Sequence, residues 1–108
     1  MESERGGLGE LFSTVLVDDS AAPDYPRGCQ IIWSTSREAV PGRVVLVRDK
    51  HGVLHIRRYA QSTMPGQFVA RAMNEAYATL ESAAHGLKVV AVLKGSFEPD
   101  DPDQAAPI

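Results

Sequence analysis

The sequence has little of what marks membrane, secreted or metal-binding proteins. Cys29 is the only cysteine among 108 residues, which excludes an internal disulfide and gives no support to a cysteine-based metal site. No apolar stretch approaches the ~18 residues of a membrane-spanning helix, and the N-terminus lacks the basic and apolar regions of a secretion signal. We therefore expect a cytoplasmic chain without membrane contact, in which Cys29 is a small buried residue rather than a reactive thiol.

The chain also lacks a surplus of positive charge. Eleven Lys and Arg residues face fourteen Asp and Glu residues, for a net charge of −3. Four of the acidic residues follow Phe97, so the rest of the chain carries −3 + 4 = +1. A protein that binds nucleic acid directly normally has a basic face. We expect DNA contact, if there is any, only through an upstream domain that is not part of this chain.

Signals for cofactors are missing too. The sequence contains no phosphate-binding glycine loop. Its histidines, His51, His55 and His85, do not have the spacing of zinc ligands and have no carboxylate partner evident nearby in the sequence, which favours surface or packing roles. We expect neither a cofactor nor a metal.

What is present is typical of one small soluble domain. The chain is 44% hydrophobic and 23% charged, and its length suffices for one modest core. We expect residues 1–10 to be a flexible N-terminal segment, residues 11–97 to be the folded domain, and residues 98–108 to be an acidic, disordered tail.

Short β-branched runs separated by turn residues predict a mainly β fold. The Asp49–Gly52 turn predicts a hairpin between two of these runs, and a turn of helix is expected before Gly86. The predicted strands cover residues 11–17, 29–33, 43–48, 53–59, 67–73 and 87–93.

Ser20 is the first candidate for chemistry. It follows an apolar strand and an aspartate and precedes a proline-rich turn. A serine held at such a junction can act as a nucleophile when a neighbouring group takes its proton. Asp, Ser, Pro and Gly after a strand are also common turn formers, so the local sequence alone favours a plain turn.

The order of several motifs resembles the C-terminal domain of LexA and phage repressors. The resemblance covers residues 11–93 and implies twisted antiparallel sheets of short strands, a β-hairpin and at most one short helix, as in the signal-peptidase-like fold. The motifs that carry it are Asp19-Ser20-Ala-Ala-Pro23, the turn ending at Gly28, Pro41-Gly-Arg-Val-Val-Leu-Val47, Arg57-Arg58-Tyr59, and the block from Ala76 to Val92.

Members of this family cut a peptide bond in their own linker with a Ser-Lys dyad, in which a neutral lysine accepts the serine proton. The resemblance places the nucleophile at Ser20 and the base at Arg57. A guanidinium stays protonated in proteins, so we expect this site to be inactive. Asp18, where the family has glycine, adds a negative charge beside it.

Other groups are weaker candidates for the base. We expect the lysines, Lys50, Lys88 and Lys94, to be solvated. A triad of Ser20, His55 and Asp19 is disfavoured, because adjacent residues on a strand point to opposite faces.

The resemblance then implies the family's other role, which is to pair subunits. We expect a dimerisation domain of a phage-type transcriptional repressor, forming a homodimer or a higher homo-oligomer. We expect the interface to include residues 87–93 and Phe97, although core packing explains Phe97 equally well. The alternatives are a self-cleaving peptidase that uses Ser20, with a RecA-like filament of the SOS response as a partner if the chain is cleavable, and a small β domain that shares only the fold.

Overall fold

The computed structural model describes residues 10–97 and confirms the mainly β prediction. The predicted N-terminal segment 1–10, apart from residue 10, and the predicted tail 98–108 lie outside the described residues. Within residues 10–97, all strand pairs are antiparallel and belong to one sheet. The strands are β1 (Leu11–Val15), β2 (Gln30–Ser34), β3 (Val44–Arg48), β4 (Leu54–Gln61), β5 (Phe68–Arg71), β6 (Leu80–Glu81) and β7 (Lys88–Phe97), and the helix α1 is Ser82–His85.

Most predicted strands are confirmed with small shifts of their ends. Strand β1 ends two residues earlier than expected, so Asp18 and Ser20 lie in the turns after the strand. The two-residue strand β6 was not predicted, and it takes part of the stretch expected to be helical. Helix α1 is a single turn that ends at Gly86, whose φ of 62° is the left-handed conformation that glycine adopts easily.

The closing strand lies inside the sheet. The strand order is β1-β2-β7-β3-β4-β5-β6, so β7 is inserted between β2 and β3 and is paired on both sides. Leu87 is buried beside it, as are Ala91 and Val92 within it, whereas Phe97 at its end is 60% exposed. The prediction of core packing for Phe97 is therefore wrong, and the edges of the sheet are β1 and β6.

Both faces of the central strands are buried. Along β3, Val44 and Leu46 belong to one hydrophobic cluster, while Val45 and Val47 belong to a second. Because neighbouring residues of a strand point to opposite faces, the two clusters lie on opposite sides of the sheet. Complete burial of one such side chain stabilises the fold by about 1.5–3 kcal/mol.

The segment between β1 and β2 covers the first cluster. Its residues Leu16, Ala21 and Cys29 are buried there, which confirms the predicted burial of Cys29. Trp33 is completely buried in the same cluster, and its indole N–H donates to Thr14 Oγ1 at 2.9 Å. This packing fixes the turn that carries Ser20 against the sheet. No helix in residues 10–97 is long and apolar enough to cross a membrane.

Candidate functional site

A cavity of about 230 Å³ lies where the segment after β1 meets the first half of β4. This part of β4 is paired with β3 alone, because pairing with β5 begins at Arg58. Ser20 and Arg57 both line the cavity, together with Asp18. The structure therefore brings together the two positions that the resemblance selected.

Ser20 sits in a tight, buried turn. Its side chain is 4% exposed, and its backbone N–H donates to Asp18 Oδ1 at 3.0 Å. The N–H of Ala22 donates to the carbonyl of Asp19, and that of Tyr25 to the carbonyl of Ala21. Ser20 therefore belongs to a hydrogen-bonded turn, as the local sequence indicated, and it also lines the cavity.

Two residues far along the chain hold this turn from the other side. Asn74 Nδ2 donates to the carbonyl of Asp19 at 2.8 Å, and Tyr77 Oη accepts the N–H of Asp19 at 3.3 Å. Neither role was predicted from the sequence. Contacts across more than 50 residues leave no periodic signal in the sequence.

Arg57 is buried and held by the backbone. It is 4% exposed, its Nε donates to the carbonyl of Ala78 at 2.8 Å, and its Nη1 donates to the carbonyl of Ile56 at 2.9 Å. Its guanidinium carbon lies 5.7 Å from the centre of the Tyr77 ring, within the range of a cation–π contact. Nη2 has no hydrogen-bond partner among the described residues.

The protonation of Arg57 decides what the site can do. Burial lowers the pKa of Arg57 from its usual value, and the nearby charge of Asp18 opposes that shift. An arginine nevertheless keeps its proton under all ordinary conditions. Arg57 can therefore donate hydrogen bonds into the cavity but cannot accept the proton of Ser20.

Asp18 is also a poor base. Hydrogen bonds from the backbone N–H of Ser20, and then from its hydroxyl, lower the pKa of the Asp18 carboxyl. The charges of Arg57 and Arg27 lower it further, whereas burial acts in the opposite direction. A general base works best when its pKa is near the working pH. The expected negative charge beside Ser20 is thus present, and the Asp18 carboxylate stabilises the turn by accepting the hydrogen bond from the Ser20 N–H.

His55 also lines the cavity. Its hydrogen-bond partner is Asp49 and not Asp19, the carboxylate considered for a triad from the sequence. Its Nε2 lies 2.9 Å from Asp49 Oδ2 in the hairpin turn, so the statement that the histidines lack a nearby carboxylate is wrong. This hydrogen bond, together with the backbone N–H groups of Val53 and His51, lowers the pKa of Asp49 to about 2.

The triad of Ser20, His55 and Asp19 is not formed. The Asp19 carboxylate makes an exposed ion pair with Arg27, at 3.1 Å between Oδ2 and Nη2. Asp19 and Ser20 lie in a turn, so strand alternation, which was the argument against the triad, does not apply to them.

No lysine reaches the cavity, since Lys50, Lys88 and Lys94 are absent from its lining. Lys50 lies at the hairpin tip, where its N–H donates to the carbonyl of His85. Arg58 binds Asp24 at 2.8 Å on the outside of the molecule. Within residues 10–97, no group of three His, Cys, Asp or Glu side chains could hold a metal ion.

Comparisons with known proteins add no identity. No protein-family model matches the chain, and no curated protein is significantly similar to it. The resemblance to LexA-type domains therefore stays a prediction.

Proposed function

We propose that this chain is a dimerisation domain of a phage-type transcriptional repressor, similar to a LexA-type C-terminal domain whose peptidase site is inactive. The observation that carries the proposal is an exposed apolar surface at the β1 end of the sheet. Leu11 and Val15 are each 57% exposed and Phe97 is 60% exposed. We call these three residues the apolar face.

The strand register shows that these side chains share one side of the sheet. Val15 pairs with Gln30, and Gln30 pairs with Phe97. Directly paired residues project to the same side of a sheet, and so do residues two or four apart on one strand, which adds Leu11. Exposed apolar side chains grouped on one side of a sheet are typical of a site of protein association, so the apolar face supports self-association.

The cavity supports the inactive half of the proposal. Neither Arg57 nor Asp18 can serve Ser20 as a base, because Arg57 stays protonated and the pKa of Asp18 is lowered. His55 also lines the cavity, and its Nε2 is hydrogen-bonded to Asp49. The alternative function is a Ser-dependent self-cleaving peptidase. What favours that alternative is the position of Ser20 beside a cavity on the unpaired side of β4.

In the proposed function, an upstream domain would bind DNA and this chain would pair the subunits, matching the two-fold symmetry of an operator. The protein would act in the cytoplasm and need no cofactor. A RecA-like filament would be a partner only under the peptidase alternative.

Light scattering of Val15→Lys tests the proposal. A charge on the apolar face should weaken self-association at least tenfold, because the ammonium loses water on burial. The matched control is Val53→Lys, which places the same charge at a half-exposed valine of the distal hairpin. We expect the control to associate like the wild type. A wild-type chain that scatters as a monomer at tens of micromolar would overturn the proposal.

A further inference from the structure

Within residues 10–97, the outer edge of β1 has no partner strand, and β1 has none of the usual protection of a sheet edge. Of the two edge strands, β6 has two residues and continues directly into α1, whereas β1 has five residues. Edge strands are normally protected by charge, proline or a bulge. The sequence of β1, Leu-Phe-Ser-Thr-Val, has no charge and no proline, and its pairing with β2 has no register shift.

The hydrogen bonds to β2 show which backbone groups face outward. Thr35 N donates to the Glu10 carbonyl at 3.0 Å, and Leu16 N donates to the Cys29 carbonyl at 2.9 Å. Bonded and non-bonded pairs alternate in an antiparallel ladder, so the even-numbered residues 10–16 face β2. The N–H and C=O groups of residues 11, 13 and 15 therefore face the open edge.

These groups match a second copy of the same strand. With Ser13 on a two-fold axis, Ser13 lies opposite Ser13 of the second copy, and Leu11 lies opposite its Val15. Each bonded pair exchanges two hydrogen bonds, so this register forms about six. The apolar side chains of Leu11 and Val15, half-exposed in one copy, become cross-strand neighbours. A neutral strand brings no like charges together in this arrangement.

We propose that two copies of this chain pair antiparallel through the outer edge of β1, with Ser13 on the two-fold axis, to form one continuous sheet. The inference rests on the proposed dimerisation function and specifies its interface. The occupant of the edge is a second copy because the strand is complementary to itself in hydrogen bonding and in apolar side chains. An isologous interface of this kind closes after two subunits.

Ser13→Pro tests the pairing directly. The Ser13 N–H faces the open edge, so proline removes no hydrogen bond to β2, while its ring blocks an approaching strand. We expect the dimer dissociation constant to rise at least tenfold in sedimentation velocity, with the circular dichroism spectrum unchanged. Ser13→Ala keeps the N–H and serves as the matched control, which should pair like the wild type.

A second variant decides the case even if the proline variant does not fold. In the proposed dimer the two residues at position 13 have Cα atoms about 5.5 Å apart, so Ser13→Cys should be joined efficiently by a short bis-maleimide. Thr63→Cys places the thiol at another exposed position, in the β4–β5 loop, and should not be joined.

The outcomes separate the inference from the function on which it rests. A wild-type dimer that resists Ser13→Pro, or that fails to cross-link through Ser13→Cys, overturns the edge pairing and leaves dimerisation intact, with the contact elsewhere on the apolar face. A wild-type chain that is monomeric at tens of micromolar overturns both.

Discussion

Replacing Arg57 with methionine should lower the free energy of unfolding, even though Arg57 cannot act as a base for Ser20. Methionine fills similar space but cannot donate hydrogen bonds, so the carbonyls of Ala78 and Ile56 lose their partner. Hydrogen bonds to a charged group contribute about 1.5–3 kcal/mol each. Water in the cavity can replace part of this, and we expect the free energy of unfolding to fall by about 2–4 kcal/mol.

Urea denaturation followed by circular dichroism measures this loss. With a slope of about 2 kcal/mol per molar urea, which is in the usual range for a small domain, the midpoint should fall by about 1–2 M. Arg71→Met, at an exposed arginine of β5, is the matched control and should change the free energy of unfolding by less than about 0.5 kcal/mol. A loss below about 0.5 kcal/mol for Arg57→Met would refute the view that Arg57 holds the loop before β6 in place.

Two further predictions concern chemistry and pH. Arg57→Lys should restore a group that can lose its proton, so a fluorophosphonate probe should label Ser20 in this variant and not in the wild type; labelling of the wild type would contradict the inactive assignment. Asp49 has a pKa of about 2 in place of the usual 3.8, so its stabilisation is complete above pH 3.8 and is lost as the pH falls towards 2. The difference in urea midpoint between wild type and Asp49→Asn should shrink over that range, and a constant difference would contradict this reading.

Local chemistry predicted the strands well because it acts within a few residues. The run of β-branched residues predicted β3, and Asp49 with Gly52 predicted the hairpin. The insertion of β7 between β2 and β3 was not predicted, since strand order depends on contacts across most of the chain.

Some features of the candidate site were predicted from the sequence and others were missed. Placing Ser20 beside Arg57 came from the order of motifs, and the cavity agrees with it. The anchors Asn74 and Tyr77 were missed because they lie more than 50 residues from the turn in the sequence and contact it only through the tertiary fold. The bond between His55 and Asp49 spans six residues across a hairpin, so the predicted hairpin register could have shown it.

Sedimentation equilibrium of the wild-type chain tests the dimerisation claim most directly. Over a concentration series up to tens of micromolar, the account predicts a weight-average mass that rises from that of one chain towards twice that value. A mass that stays at one chain throughout the series would contradict it.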